Sequence, residues 1–127
     1  MRSSVARVLS AACVAVLVLV VSAVPSGAHP FAARTQAKIH DGGPDGANGN
    51  VTSRNDSCVA NRTVRLFRVQ DGPDQLFGRD RTSMRGLWDI EAPLVAGEYY
   101  VIVMRRHIET RAHDHDCLRA RSLRVRL

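Results

Sequence analysis

The residues best suited to chemistry are two histidines and a cysteine at alternate positions near the C-terminal end, in the run His113-Asp-His115-Asp-Cys117. On a β-strand, alternate side chains point to one face, so these two imidazoles and the sulfur would lie together. Such a set suits Zn²⁺ or Cu²⁺. Other imidazoles could add a ligand, namely those of His107, His40 and His29. One alternative function is therefore an exported metal-binding protein that uses His113 and His115, although a disulfide-bonded cysteine would be no thiolate ligand.

Hydrolytic catalysis has weaker support in the sequence. Serine, histidine and aspartate are present, but the chain has no Gly-x-Ser-x-Gly nucleophile turn and no His-Glu-x-x-His motif. Glu98 with His107 or His113 would resemble the acid–base pair of a small ribonuclease, yet their spacing gives it no advantage over exposed side chains. We therefore predict that the protein is not an enzyme and has no cofactor, and we keep a small secreted hydrolase as a second alternative.

Arginines dominate the C-terminal end. The chain has 18 basic residues, of which only Lys38 is a lysine, against 12 acidic ones. The last 23 residues contain seven arginines and three acids. Four of these arginines are candidates for contact with an anionic surface, namely Arg119, Arg121, Arg124 and Arg126. The competing interpretation is a solvated face that keeps a small protein soluble. No aromatic residues interleave with this run, so we expect no specific nucleic-acid binding.

The first 28 residues have the pattern of a secretory signal peptide. Arg2 and Arg7 precede an apolar run from Val8 to Val24, and the triplet Ser26-Gly27-Ala28 follows Pro25. A charged start, an apolar middle and a small-residue exit predict cleavage near Ala28. The alternative is a retained membrane anchor, for which 17 residues is at the short limit. We expect a secreted protein, extracellular or at the cell surface, without a membrane span after cleavage.

The remaining chain divides by composition. Residues 29–48 are rich in Gly, Asp and Asn and poor in apolar side chains, which predicts a flexible leader. Short β-prone segments separated by turn residues follow from residue 49 onward. Within the leader we allow one short strand, at residues 37–40. After it, the predicted strands cover residues 51–53, 62–69, 76–82, 86–90, 98–104 and 122–127. In the last of these, we expect Ser122, Arg124 and Arg126 on one face and Leu123, Val125 and Leu127 on the other.

These segments predict an all-β fold, an antiparallel Greek-key β-sandwich of about seven strands over residues 49–127. A chain of 127 residues has room for a single domain, which excludes a dinucleotide-binding fold with a separate substrate domain. Cys13 leaves with the signal peptide, so Cys58 and Cys117 remain. In an exported protein, two cysteines most simply form a disulfide. A disulfide between Cys58 and Cys117 would close a loop of about 60 residues, which contributes roughly 4 kcal/mol to the free energy of unfolding by the chain-entropy model.

Two glycine–aromatic motifs carry a family resemblance. Thr82-Ser-Met-Arg-Gly86-Leu-Trp88 and Leu94-Val-Ala-Gly97-Glu-Tyr99 resemble the Thr-x-x-x-Gly-x-aromatic and Leu-x-x-Gly-x-Tyr pattern of carboxypeptidase-regulatory-like domains. These domains are similar in topology to transthyretin and to the B-type repeats of collagen adhesins (Cna-B). The chain also resembles small exported actinobacterial proteins of this type, in which two cysteines flank Val-x-Leu-Phe-Arg and Gly-x-Tyr-Tyr strands.

The resemblance covers residues 49–127 and implies that the motif residues are structural. Gly86 and Gly97 precede strands, where a hairpin needs a tight or positive-φ backbone, and Trp88 and Tyr99 are large enough to fill a small core. It also implies a stalk, spacer, adhesive or accessory role with no catalytic residue. We therefore expect a secreted bacterial module with a structural or binding role, whose partner is an extracellular or cell-surface protein or anionic polymer.

Overall fold

The computed structural model describes residues 30–127, so the predicted signal peptide lies outside the described residues. The described chain forms eleven β-strands and a single 3₁₀ turn at Asp56–Cys58. The strands are β1 Pro30–Ala33, β2 Thr35–Gly43, β3 Gly46–Ser53, β4 Thr63–Arg68, β5 Gln75–Arg81, β6 Leu87–Glu91, β7 Glu98–Val103, β8 Arg106–Glu109, β9 Asp114–Cys117, β10 Ala120–Arg121 and β11 Val125–Arg126.

Two antiparallel sheets pack face to face as a sandwich. One has the order β10-β7-β4-β5, with β11 also paired to β7, and the other has the order β2-β3-β6. The chain crosses between the sheets from β5 to β6 and back from β6 to β7, a connection typical of Greek-key sandwiches. The predicted all-β antiparallel sandwich is therefore confirmed, with more strands than the seven expected.

A third, smaller sheet lies beside the sandwich, in the order β1-β9-β8. β1 runs parallel to β9, whereas β8 and β9 are antiparallel. The only apolar support of this sheet among the described residues is a cluster of Ala33, Cys58 and Cys117 with Ile108 against it. A disulfide joins Cys58 to Cys117, as predicted, and both residues are fully buried. The disulfide therefore takes the place of a larger apolar core in this part of the molecule.

Inward-facing residues of both sandwich sheets form the main core. The five-stranded sheet supplies Val64, Leu66, Tyr99, Val101 and Val103, and the three-stranded sheet supplies Ala37, Ala47, Val51, Trp88 and Ile90. The Tyr99 hydroxyl donates to the carbonyl oxygen of Val95 at 2.7 Å and accepts from its N–H at 3.2 Å. A tyrosine that bonds back to the preceding corner stabilises a sheet-to-sheet connection in Greek-key sandwiches.

The flexible leader predicted for residues 29–48 differs from the structure. Residues 35–53 form the hairpin β2–β3, which pairs with β6 and belongs to the sandwich. The inward side chains there are small, and Gly49 leaves the space in which the Trp88 ring packs, since a Cβ on Gly49 would lie 2.5 Å from Trp88 Cζ2. Small residues opposite a large aromatic ring can bury a strand whose composition alone resembles a linker.

The predicted last strand is also corrected. Only Val125–Arg126 of the predicted segment 122–127 form a strand, β11, while β10 precedes the segment. Ser122 between the two strands is buried, with its hydroxyl accepting from the N–H of Val101 at 3.0 Å. Leu123 is 87% exposed, so it does not share a buried face with Val125 and Leu127. Consequently Ser122 does not form an exposed ladder with Arg124 and Arg126.

Within residues 30–127, no helix is long and apolar enough to cross a bilayer.

Buried Arg62 connects the disulfide to the sandwich. Its side chain is fully buried, and its guanidinium donates to the carbonyl oxygens of Cys58 at 2.7 Å, Met104 at 2.8 Å and Leu118 at 2.9 Å. No carboxylate within the described part of the chain pairs with it. Burial lowers the pKa of Arg62, and the nearby positive charge of Arg106 lowers it further. The guanidinium is thus satisfied by hydrogen bonds, while its positive charge is not neutralised by an acid.

Candidate anion-binding face

Arginines form a row across the outward side of the five-stranded sheet. The strand register places Arg79 of β5 opposite Arg65 of β4, Arg65 opposite Ile102 of β7, and Ile102 opposite Arg121 of β10. Because neighbouring strands lie about 4.8 Å apart, this row spans roughly 14 Å. Arg81 lies two residues beyond Arg79 on the same side of β5 and pairs with Thr63. We call this surface, defined by Arg65, Arg79, Arg81 and Arg121, the outer arginine face.

Among the described residues, the four arginines of this face form no salt bridge, although Asp74 is close enough to Arg121 for their charges to interact. Over the described residues, the salt bridges involve Arg105, His107 and Arg124, and none of the four face arginines. Asp80 lies between Arg79 and Arg81 in sequence, but its carboxylate accepts from the backbone N–H groups of Arg81 and Asp89. The buried Nε of Arg65 has no hydrogen-bond partner. Four guanidinium groups on one sheet face are therefore available to an external anion.

A row of apolar side chains borders the arginines. Tyr100 of β7 pairs with Phe67 of β4, and their rings stack with centroids 5.4 Å apart. The Arg121 guanidinium carbon lies 3.7 Å above the centre of the Tyr100 ring, a cation–π contact. Because Tyr100 is only 5% exposed beneath this contact, its ring is not free to stack on a nucleic-acid base.

Asp74 fixes the outer end of Tyr100. The Tyr100 hydroxyl donates to Asp74 Oδ2 at 2.6 Å, and the N–H of Gln70 donates to Asp74 Oδ1 at 3.2 Å. The hydrogen bond from Tyr100 lowers the pKa of Asp74, with a further contribution from Gln70. Burial and Asp74 together raise the pKa of Tyr100. The tyrosine is therefore held in place and protonated, so that Arg121 rests on a fixed ring.

The opposite outer surface of the sandwich has a different character. It is formed by β2, β3 and β6, and its residues are mostly neutral and polar, with two acids against one base. They are Gln36, Lys38, His40, Asn48, Asn50, Thr52, Leu87, Asp89 and Glu91. Positive charge is thus concentrated on one side of the domain.

Of the four predicted anion-contact arginines, the structure places only Arg121 on this face. Arg126 pairs with Glu98 of β7, which points to the same outer side of the sheet as Tyr100 and Ile102, and Arg124 lies 3.7 Å from the Glu98 carboxylate. Both arginines are therefore at the far edge of that side, next to an acid, and Arg119 is exposed. Sequence reasoning missed Arg65, Arg79 and Arg81 because they come from strands far from the C-terminal run. Their alternation with inward residues was visible, but the register that aligns them was not.

The predicted metal ligands His113 and His115 lie side by side, with ring centroids 5.5 Å apart. His115 Nδ1 is 3.3 Å from Asn55 Nδ2, and His107 Nε2 is 3.2 Å from the carboxylate of Asp114. The sulfur of Cys117 is bonded to Cys58 and cannot act as a thiolate ligand. Within residues 30–127, no group of three or more His, Cys, Asp or Glu side chains is arranged to hold a metal ion.

The glycine–aromatic motif residues occupy structural positions. Gly86 has φ +81°, and a Cβ there would lie 2.3 Å from the carbonyl oxygen of Val51. Gly97 is the tight case of the two expected: its φ is not positive, and a Cβ there would lie 2.8 Å from Nε of the Arg68 side chain. Trp88 and Tyr99 are both buried in the main core.

Comparisons of this chain with family models, with curated proteins and with solved structures give no match. The likeness to carboxypeptidase-regulatory-like domains therefore stays a prediction from two motifs, and the function is argued from the residues of the outer arginine face.

Proposed function

We propose that this protein is an exported, non-enzymatic β-sandwich module that binds an anionic polymer, outside the cell or at its surface, through the outer arginine face. The observation that carries the proposal is the row Arg79–Arg65–Ile102–Arg121, in which three unpaired guanidinium groups are aligned by strand register. Export is supported by the signal-like first 28 residues and by the disulfide, which fits an oxidising compartment.

The chemistry of the face favours a flexible polymer with repeated negative groups. Guanidinium forks bind phosphate, sulfate and carboxylate in bidentate geometry. Strands hold the arginines at regular spacing, whereas loops would leave them to be ordered on binding. The buried position of Tyr100 removes base stacking as a source of affinity. We therefore propose a polymer without bases, such as a polyol phosphate or a sulfated polysaccharide.

The test measures binding of the disulfide-intact mature chain, residues 29–127, to polyphosphate, dextran sulfate and neutral dextran at several salt concentrations. We expect binding to the two charged polymers alone, weakening as salt rises because counterions are released. The variant Arg65→Gln/Arg79→Gln/Arg121→Gln should bind about tenfold or more weakly, with a shallower salt dependence.

The matched control removes three positive charges from elsewhere, in the variant Lys38→Gln/Arg54→Gln/Arg85→Gln. These side chains are exposed and lie outside the outer arginine face. We expect this variant to retain most of the binding. Equal weakening in both variants would show that net charge alone attracts the polymer, and the proposal would then be wrong.

A further inference from the structure

A polar pocket of about 300 Å³ lies at the Arg81 end of the outer arginine face. Its lining consists of Asn61, Thr63, Arg81, Arg105 and Arg106. Three of these five residues are arginines, and none is acidic. The pocket is separate from the row of Arg65, Arg79 and Arg121, but it is continuous with the same side of the sheet because Arg81 belongs to both.

Regular structure fixes the lining residues. Thr63 and Arg81 are a cross-strand pair of β4 and β5. Asn61 adopts a left-handed conformation, with φ 53°, and its N–H donates to the carbonyl oxygen of Thr82 at 3.0 Å. Arg106 donates from Nη1 to the carbonyl oxygen of Ala60 at 2.8 Å, which anchors one arm of its guanidinium. The positions of Asn61, Thr63 and Arg106 are thus set before any ligand arrives, which lowers the entropic cost of binding, whereas Arg81 and Arg105 have exposed side chains.

The charge around the pocket is unbalanced. Arg62, adjacent in sequence to Asn61 and Thr63, is fully buried and donates to the carbonyl oxygen of Met104, the residue before Arg105. Together with the three lining arginines it makes four guanidinium groups, and the salt bridges of residues 31–127 include only one of them, Arg105 with Asp116. An anion in this pocket would meet a strongly positive environment.

We propose that this pocket binds a single tetrahedral oxyanion, a phosphate or sulfate group, held by Arg81 and Arg106 with Thr63 and Asn61 as neutral hydrogen-bonding partners. This oxyanion would be one group of the anionic polymer, so the role of the pocket rests on the proposed function. The pocket binds one anionic group of the polymer, and Arg65, Arg79 and Arg121 contact the neighbouring anionic groups. Guanidinium, amide and hydroxyl donors along one wall of the pocket suit an anion with several acceptor oxygens, and the rest of the volume leaves room for the polymer that carries it.

The Asp116 carboxylate competes with a bound anion for the Arg105 guanidinium. Its carboxylate accepts from Arg105 Nε at 2.7 Å and also from Arg105 Nη2. The pair leaves Arg105 at the rim of the pocket with its charge partly neutralised. Removal of the Asp116 charge should therefore strengthen anion binding, an effect that a purely structural role of the cluster would not produce.

The experiment titrates the full mature chain, with its disulfide intact, with inorganic phosphate, inorganic sulfate and chloride, followed by NMR of backbone amides and arginine Nε–H groups. We expect saturable shifts at Asn61, Thr63, Arg81 and Arg106 with phosphate or sulfate, and none that saturate with chloride. Whichever of the two oxyanions binds more tightly identifies the polymer group. Chemical-shift changes that do not saturate, or that match those caused by chloride, would show that the pocket is not an oxyanion site.

Variants test the named residues. Arg81→Gln should weaken oxyanion binding about tenfold, the effect of losing one charge-assisted hydrogen-bond donor. Arg85→Gln, an exposed arginine outside the pocket, is its control. Asp116→Asn should strengthen binding several-fold, whereas Asp114→Asn, which removes the same charge from the same strand, should have little effect. Equal effects of the two aspartate variants would contradict the role of Asp116.

The failures of the two proposals are distinguishable. If phosphate or sulfate binds at the pocket but the charged polymers do not bind the protein, the proposed function is wrong and the pocket stands. If the polymers bind through Arg65, Arg79 and Arg121 but neither oxyanion saturates the pocket, this inference alone is wrong. Arg81→Gln and Asp116→Asn both alter exposed or partly exposed side chains, so neither variant depends on a change in the core.

Discussion

Arg62 donates two hydrogen bonds to the carbonyl oxygen of Met104, from Nη2 at 2.8 Å and from Nε at 3.3 Å. The other arm of the same guanidinium reaches the carbonyl oxygen of Cys58. One buried side chain therefore joins the end of β7 to the 3₁₀ turn that carries the disulfide. The sequence marked Arg62 only as the start of a strand, because an arginine beside a predicted strand is ordinarily solvated.

Arg62→Met should reduce the free energy of unfolding by about 3 kcal/mol or more, since it leaves several buried carbonyl oxygens without donors. Urea unfolding of the disulfide-intact chain of residues 29–127 measures the change. Arg79→Met is the control, because Arg79 is exposed and its substitution should change the free energy by less than about 0.5 kcal/mol. A loss of less than about 1 kcal/mol for Arg62→Met would show that water replaces the guanidinium.

Removal of the disulfide should act first on the smaller sheet. Cys58→Ala/Cys117→Ala is expected to lower the free energy of unfolding by roughly 4 kcal/mol. Because Ala33, Ile108 and the two new alanine methyl groups would be the remaining members of the apolar cluster, amide hydrogen exchange should accelerate in β8 and β9 well before it does in β7. Uniform acceleration over all strands would mean that the smaller sheet and the sandwich unfold as one unit.

The Asp74–Tyr100 contact should make stability depend on pH in the acid range. Because the pKa of Asp74 is lowered in the folded protein, its contribution is present above the ordinary aspartate pKa near 4 and is lost as the pH falls through the lowered value. Asp74→Asn should therefore reduce stability at pH 7 and make its decline below about pH 4 shallower.

Urea unfolding at a series of pH values compares this variant with Asp71→Asn, which changes an exposed aspartate of the same turn. Part of the acid decline should persist in Asp74→Asn, since Arg105 also lowers the pKa of Asp116. An unchanged pH profile would show that the Tyr100 hydroxyl contributes nothing to the ionisation of Asp74.

Substitution of glycine by alanine should change the free energy of unfolding differently at Gly86 and at Gly72. At Gly86 the backbone has φ +81°, and the new Cβ would lie 2.3 Å from the carbonyl oxygen of Val51, so Gly86→Ala should cost about 2 kcal/mol or more. At Gly72 no atom lies within 4 Å of a Cβ, so Gly72→Ala should be neutral or slightly stabilising. Thermal unfolding of both variants checks the contrast, and equal effects would contradict the conformation at Gly86.

The parts of the fold that apolar side chains determine were predictable. β4 shows alternation, β7 is an unbroken run of aromatic and β-branched residues, and both strands appear where the sequence indicated them. The smaller sheet was not predicted, because the residues of β9, Asp114-His-Asp-Cys117, have polar side chains and are held by a disulfide and by backbone pairing. The hairpin β2–β3 was missed for a related reason, since its inward side chains are too small to stand out from a linker.

The arrangement of the candidate site could not be predicted from the sequence. A surplus of arginine made an anionic partner one of two interpretations, beside a solvated face, and the sequence placed that surplus in the C-terminal run. The row that includes Arg65 and Arg79 exists because β5, β4, β7 and β10 align in one register, and a shift of one residue in β4, β5 or β10 would turn its arginine inward. Such long-range alignment is set by the packed core and is not encoded locally.

The unequal distribution of charge between the two outer surfaces gives the domain an electric dipole across its thickness. Near a negatively charged layer, a molecule with such a dipole experiences a torque as well as an attraction. The torque turns the outer arginine face toward the layer. The surface of β2, β3 and β6, with Asn48, Asn50 and Thr52, then points away from the layer. Every adsorbed copy would present the same polar exterior, so a coated surface would have one uniform chemistry.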